Sequence, residues 1–375
     1  MEKIINTQIE TGLPYILYKD TANKYRMNDL LIRCSNLCAE IMLPCDKNNY
    51  STCNLACINV DSLYFSSDKK LYLGLLKNAV RETVKSISFL IDTNTYHVKE
   101  TEYYNMVHKP MAIGIAGLAD LFQRMRIPYD SDKAKEIATE IVREIYYSAV
   151  ECSLKSCYGK KLEESEKYIL HSIKYTEGAQ PAGAVLGIVD ERTMKLQEEI
   201  KEHGLTNLAF VGFMPTSSTS LILGVSESFE PKTSNIFTRR NLSGTHIEIN
   251  KYLIQHLKEL NLWNKDIRNK IIENRGSVHN IDEIPSDVKE IYKTVYEISH
   301  KKYLDLCASM QPYVDMSMSM NMYYKKQDIN KISKSLFYAW KKGLKTGSYY
   351  TRVDDSNDTF QFALDNNKSC TMCSV

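Results

Sequence analysis

The chain has 375 residues, 43% hydrophobic and 25% charged, with a formal net charge of +2, which is ordinary globular composition for one large α/β domain or two smaller ones. The near-neutral balance gives no electrostatic case for nucleic acid or an anionic membrane as main partner, and no stretch approaches the length of a membrane span. Ten cysteines are too sparse here for a disulfide scaffold, and with no apolar signal run after Met1 they read as reduced, cytoplasmic thiols.

Residues 1 to 33 are mixed, with a turn at Gly12-Leu13-Pro14 and no evident first strand or helix. Next comes Cys34-Ser-Asn-Leu-Cys38-Ala-Glu-Ile41, followed by Cys53-Asn-Leu-Ala-Cys57. Asn36, Cys38 and Glu40 stand at alternate positions, and in an extended segment alternate side chains share one face. Asn54 to Val60 and Leu63 to Phe65 read as short strands. Leu71 to Asp92 reads as a helix, because Leu73, Leu76, Val80, Val84, Ile87 and Ile91 recur at three- and four-residue steps. Residues 110 to 120 read as a strand entering a helix, with Gly114 and Gly117 where backbones approach. A second long helix is expected over Ser131 to Cys157, capped by Asp130 or Ser131. Gly178 to Gly183 marks a loop, an insertion or a lid. Thr193 to His203 reads as a charged surface helix ended by Gly204. Leu208 to Phe213 reads as a buried strand, and Ile249 to Lys342 as mostly helical.

Four groups of residues can carry chemistry. Around Cys38, a carboxylate can take a hydroxyl proton, an amide can orient a neighbouring hydroxyl, and sulfur can attack or abstract. On spacing alone the plainer reading, buried thiols on neighbouring strands, is favoured. Zinc is disfavoured because paired C-x2-C knuckles are absent, so no metal site is expected. The second group is Thr216, Ser217, Ser218 and Thr219. It lies between a strand and a helix, where hydroxyls and backbone N–H groups suit an anion, or simply cap the helix. The third is Cys370-x-x-Cys373 at the end of a polar tail, suited to a mobile dithiol that exchanges with a disulfide elsewhere. The fourth is the tandem Tyr349-Tyr350, an ordinary strand pair or a redox pair.

Together these stretches resemble the large, catalytic subunit of class I ribonucleotide reductase over its C-terminal half. The resemblance rests on Ser35-Asn-Leu-Cys-Ala-Glu-Ile41, Gly114-Ile-Ala-Gly-Leu-Ala-Asp120, Met214-Pro-Thr-Ser-Ser-Thr219, Thr233-Ser-Asn-Ile-Phe-Thr-Arg-Arg240, Leu344-Lys-Thr-Gly-Ser-Tyr-Tyr350 and the terminal Cys-x-x-Cys. It implies the second half of a ten-stranded α/β barrel, with the Cys38 loop as a central finger, a C-terminal helical region, and a flexible redox tail. The division expected is residues 1–352 for the barrel part and 353–375 for the tail.

The resemblance also implies roles. Cys38 would become a thiyl radical and take the ribose 3′ hydrogen. Glu40 would be base to the 3′ hydroxyl, and Asn36 would hold the 2′ hydroxyl that leaves as water. Cys53 would be one of two cysteines that supply electrons, its partner lying outside this chain. Thr216 to Thr219 would cradle the substrate diphosphate. Tyr349 and Tyr350 would relay the radical from a small subunit whose metal site generates it, no cofactor being bound in this chain. Cys370 and Cys373 would re-reduce the active-site disulfide and be reduced in turn by thioredoxin or glutaredoxin. The family's large subunit is roughly twice this long, so a natural split gene or a fragment is expected, completed by a chain carrying the N-terminal half. The expected location is the cytoplasm, or the host cytoplasm for a viral or phage chain. Two rival readings are a non-catalytic assembly or regulatory fragment and a cobalamin-dependent class II reductase. Retention of the site positions argues against the first, and the tandem tyrosines argue against the second.

Overall fold

The computed structural model describes residues 1–26, 30–156, 190–241 and 244–354. Its organising feature is a succession of parallel strands. Leu55–Asn59 pairs in parallel with Ala112–Ala116, from Leu55 opposite Ala112 to Asn59 opposite Ala116. Ile113 then bridges in parallel to Val211, and Phe213 to Met318. Met322–Tyr324 pairs in parallel with Thr351–Val353. A parallel step needs a crossover long enough to return the chain, usually a helix. Here the crossovers include Leu73–Thr93, Asp132–Lys155, His300–Met310 and Ile329–Lys341, one for each step. The alternation of strand and helix is that of an α/β domain, as expected for half of the barrel.

The sequence explains why these elements form. Ala112–Ala116 is buried at every position, the mark of a strand covered on both faces. Leu76, Val80, Val84, Ile87 and Ile91 form the buried face of Leu73–Thr93, as the periodicity predicts. Ser131 caps Asp132–Lys155 by accepting from the Ala134 N–H. Gly114 permits the close approach of the next strand. A Cβ there would lie 2.6 Å from Met214 Sδ and 3.2 Å from the Gly212 carbonyl oxygen. The methionine can swing aside but the backbone cannot. Gly114→Ala is therefore expected to cost about 1–3 kcal/mol of stability, read as a lower denaturation midpoint.

Three segments differ from expectation. Residues 1–26 contain helices, Glu2–Thr11 and Lys19–Lys24. The first buries only Ile5 and Gln8, so its buried face carries little hydrophobic signature. The helix Glu191–His203 is not purely a surface element. It buries Thr193, Leu196, Gln197 and Ile200, and Arg192 donates to the Glu144 carboxylate at 2.9 and 3.1 Å. The helical stretch after Ile249 divides in two. Leu253, Leu257, Ile267, Ile271, Val288 and Tyr292 form a small core of their own with Ile236, while His300–Met310 and Ile329–Lys341 return to the main core. The strand Thr351–Val353 runs across the expected boundary at 352. Cys370, Cys373 and the loop 178–183 lie outside the described residues. Among the described residues no helix is long and apolar enough to cross a membrane.

Candidate active site

Cys38 sits at the tip of a turn, which corrects the expectation of an extended segment. The Ala39 N–H donates to the Asn36 carbonyl at 3.3 Å, and Ala39 has φ 68°, a left-handed value that breaks any strand. Asn36 closes the turn with both backbone and side chain. Its N–H donates to the Ile41 carbonyl at 3.4 Å, and its Oδ1 accepts from the Ile41 N–H at 3.0 Å. The amide and the carboxylate then meet directly, Asn36 Nδ2 donating to Glu40 Oε1 at 2.8 Å. The three residues still converge, through a turn rather than through the two-residue pleat.

Glu40 is 1% exposed, and both of its oxygens are held. Ser319 Oγ donates to Oε2 at 3.1 Å and lies 2.6 Å from the Cys38 carbonyl oxygen. The Ser317 N–H donates to the Glu40 carbonyl at 2.9 Å. One short segment, Ser317 to Ser319, thus fixes the carboxylate and the backbone of the thiol-bearing residue together. A buried carboxylate held by two neutral donors is oriented without a counter-charge.

Cys53 reaches the same place. Asn36 Nδ2 is 3.6 Å from its sulfur. Burial, then the Glu40 charge, pushes the Cys53 thiol above its ordinary pKa, so it rests protonated at neutral pH. Asn36 and Cys53 line a cavity of about 450 Å³ beside the turn.

On another side of Cys38 stand three tyrosines. The Tyr349 hydroxyl faces Cys38 and Tyr15, and burial first, then these two neighbours, raises its pKa. Its ring lies 4.5 Å from Tyr350 and 4.6 Å from Tyr15, and Tyr15 is 5.1 Å from Tyr350. The backbone of the pair is fixed on both sides: the Tyr349 N–H donates to the Met320 carbonyl at 2.6 Å, and the Tyr350 carbonyl accepts from Met322 at 2.8 Å. Gly12 lets the Tyr15 loop approach. It has φ +78°, and a Cβ there would meet Tyr350 Cδ1 at 3.3 Å. The packed rings of Tyr350 and Tyr349 therefore lead toward the Cys38 thiol.

The hydroxyl-rich loop follows the strand that faces Ser319. The Phe213 carbonyl accepts from the Ser319 N–H at 2.8 Å, and the loop begins immediately beyond, leading into the short helix Ser217–Leu223. Thr216 is buried and its Oγ1 accepts from the Ser228 N–H at 2.7 Å. Ser217, Ser218 and Thr219 are exposed, Ser217 donating to Glu227 at 3.1 Å. The tail dithiol, Cys370 and Cys373, is not among the described residues.

Tyr15 and Ser319 escaped sequence reasoning, as did Glu230 and Asn321. Asn321 Oδ1 accepts from the Tyr350 N–H at 3.2 Å, and Glu230 holds Asn321 at 2.8 Å. Two of them had a signal. In Met316-Ser-Met-Ser-Met-Asn-Met322 polar and apolar residues alternate, which marks a strand with one polar face. Among the described residues no group of three or more His, Cys, Asp and Glu side chains is placed to hold a metal ion.

Residues 1–350 match the family "Ribonucleotide reductase, barrel domain". The chain is 38% identical over 371 residues to a ribonucleoside-diphosphate reductase large subunit of Caenorhabditis elegans, covering 98% of this chain and 46% of that protein. It is 40% identical over 368 residues to the large chain of Cryptosporidium parvum (96% and 45%). It is 38% identical over 386 residues to the large subunit of Monkeypox virus (99% and 49%). The chain thus spans about half the length of the curated relatives it matches. The fold is similar to that of the Actinobacillus ureae class Id ribonucleotide reductase alpha subunit, with a TM-score of 0.71 at 23% identity, over 95% of this chain and 61% of that one. On the family match and the strand order together, this chain belongs to the ribonucleotide reductase barrel-domain family, and it resembles the C-terminal half of the large subunit.

Proposed function

We propose that this chain supplies the catalytic half of a ribonucleotide reductase large subunit, reducing ribonucleoside diphosphates to deoxyribonucleoside diphosphates for DNA synthesis. It acts together with the other half of the barrel. The observation that carries the reading is the meeting at one point of Asn36, Glu40 and Cys53 around the turn, with Tyr349 on the Cys38 thiol. A separate small subunit supplies the oxidising equivalent, which enters through Tyr350 and Tyr349 and leaves Cys38 as the sulfur radical. Cys38 takes the 3′ hydrogen of the ribose. Glu40 accepts the proton of the 3′ hydroxyl, and the Asn36 amide orients the 2′ hydroxyl as it departs as water. Cys53 and a cysteine of the other half give up two electrons and two protons, one proton leaving with the 2′ hydroxyl as water and one hydrogen going to C2′, and become a disulfide; Glu40 returns the proton to the 3′ oxygen, and the 3′ hydrogen returns from Cys38. Thr216, Ser217, Ser218 and Thr219 receive the diphosphate. Cys370 and Cys373 reopen the disulfide, and thioredoxin or glutaredoxin reduces them.

Reconstitution tests this reading. The chain is combined with a polypeptide carrying the N-terminal half, a small subunit and a dithiol, and the deoxyribonucleotide formed is measured. Turnover is expected from the full mixture and none from this chain with small subunit and reductant alone. Turnover by the isolated chain would show that its site is complete without the other half.

A further inference from the structure

Two thiols outside this chemistry face each other. Cys34 Sγ and Cys45 Sγ are 3.2 Å apart. One precedes the Cys38 turn and the other follows it, so they stand at the base of the loop that carries the reactive sulfur. They are not core packing: Cys34 is exposed and Cys45 half-buried. Both line the cavity of about 450 Å³ that also holds Asn36 and Cys53, so a small reagent can reach them. A disulfide needs its sulfurs at about 2.05 Å, and rotation of two short side chains can close the remaining gap.

We infer that Cys34 and Cys45 form a reversible disulfide that staples the two limbs of the Cys38 loop, a modification site separate from the Cys53 redox centre. The oxidant is a low-molecular-weight disulfide of the glutathione class. One cysteine thiolate attacks the reagent's S–S bond, forms a mixed disulfide and releases one reagent thiolate. The second cysteine attacks its neighbour's sulfur and releases the other. The protein loses two electrons and two protons, and the reagent becomes two thiols. The oxidised loop is tied at its base, and a dithiol reductant frees it.

The test needs no turnover, so its outcome is independent of the proposed activity. The full chain is incubated with excess oxidised glutathione, quenched in acid, alkylated with N-ethylmaleimide and digested with trypsin. Cleavage after Arg33 and Lys47 releases one peptide containing Cys34, Cys38 and Cys45. The expected product carries a single alkyl group, on Cys38, and is two hydrogens lighter than the reduced peptide bearing that one alkyl group would be. Fragmentation of that peptide places the bond in the unmutated protein, whatever the variants do. Cys38→Ser is expected to keep the two-hydrogen loss, Cys34→Ser and Cys45→Ser to abolish it, and dithiothreitol to restore three alkylated cysteines. Equal alkylation of all three cysteines after oxidation would overturn the proposal. So would a bond located at Cys38 or Cys53.

Discussion

Tyr349→Phe is expected to abolish nucleotide reduction in the reconstituted enzyme while leaving the fold and substrate affinity intact. The substitution removes one oxygen atom. The ring still packs 4.5 Å from Tyr350 and 4.6 Å from Tyr15, so the melting temperature should barely move. What disappears is the hydroxyl that Tyr349 presents to Cys38, the group through which the ring pair meets the sulfur. Phenylalanine has no phenolic hydrogen to exchange with a thiol, so the oxidising equivalent would stop at Tyr350. Steady-state reduction rates, with substrate binding measured separately, separate the possibilities. A rate within about tenfold of the unaltered enzyme would mean that Tyr349 is a packing residue and no relay.

The second large effect is expected at Glu40. Glu40→Gln keeps the shape and one acceptor oxygen, so Asn36 and Ser319 retain much of their hydrogen bonding and stability should change by no more than about 1 kcal/mol. The carboxamide cannot take a proton. If Glu40 is base to the 3′ hydroxyl, kcat should fall by about a hundred- to ten-thousandfold with KM little altered. A rise in KM at unchanged kcat would assign Glu40 to ground-state binding only. Loss of stability as large as that of Glu40→Ala would assign it to holding the turn.

How much of this was legible in the sequence differs by residue. The helices Leu73–Thr93 and Asp132–Lys155 were readable because their apolar spacing follows the helical period, and Ser131 stood where a cap was needed. Asn36, Cys38 and Glu40 were readable as a group because they are neighbours in sequence. The turn that joins them was not, because it depends on a left-handed alanine, which residue type does not announce. Ser319 lies 279 positions from Glu40, and Tyr15 reaches Tyr349 because Ile16–Leu17 pairs antiparallel with Thr346–Ser348, Ile16 opposite Ser348. Contacts of that separation are set by which strands pair, parallel or antiparallel, which local pattern does not encode. The segment Leu208–Phe213, extended but bridged to its neighbours only at Val211 and Phe213, shows both sides. Its burial was plain from its apolar run, but its neighbours were fixed by Asp315, whose buried carboxylate accepts the Phe210 and Val211 N–H groups at 2.8 Å each.

The central claim is that the sulfur of Cys38 does the chemistry. Its most direct test is Cys38→Ser in the reconstituted assembly, assayed for deoxyribonucleotide formation beside the unaltered chain. Serine keeps the size of the side chain at the turn but not the weak S–H bond that can pass a hydrogen to and from carbon. The account predicts loss of product to background with assembly and substrate binding retained; undiminished product formation would contradict it.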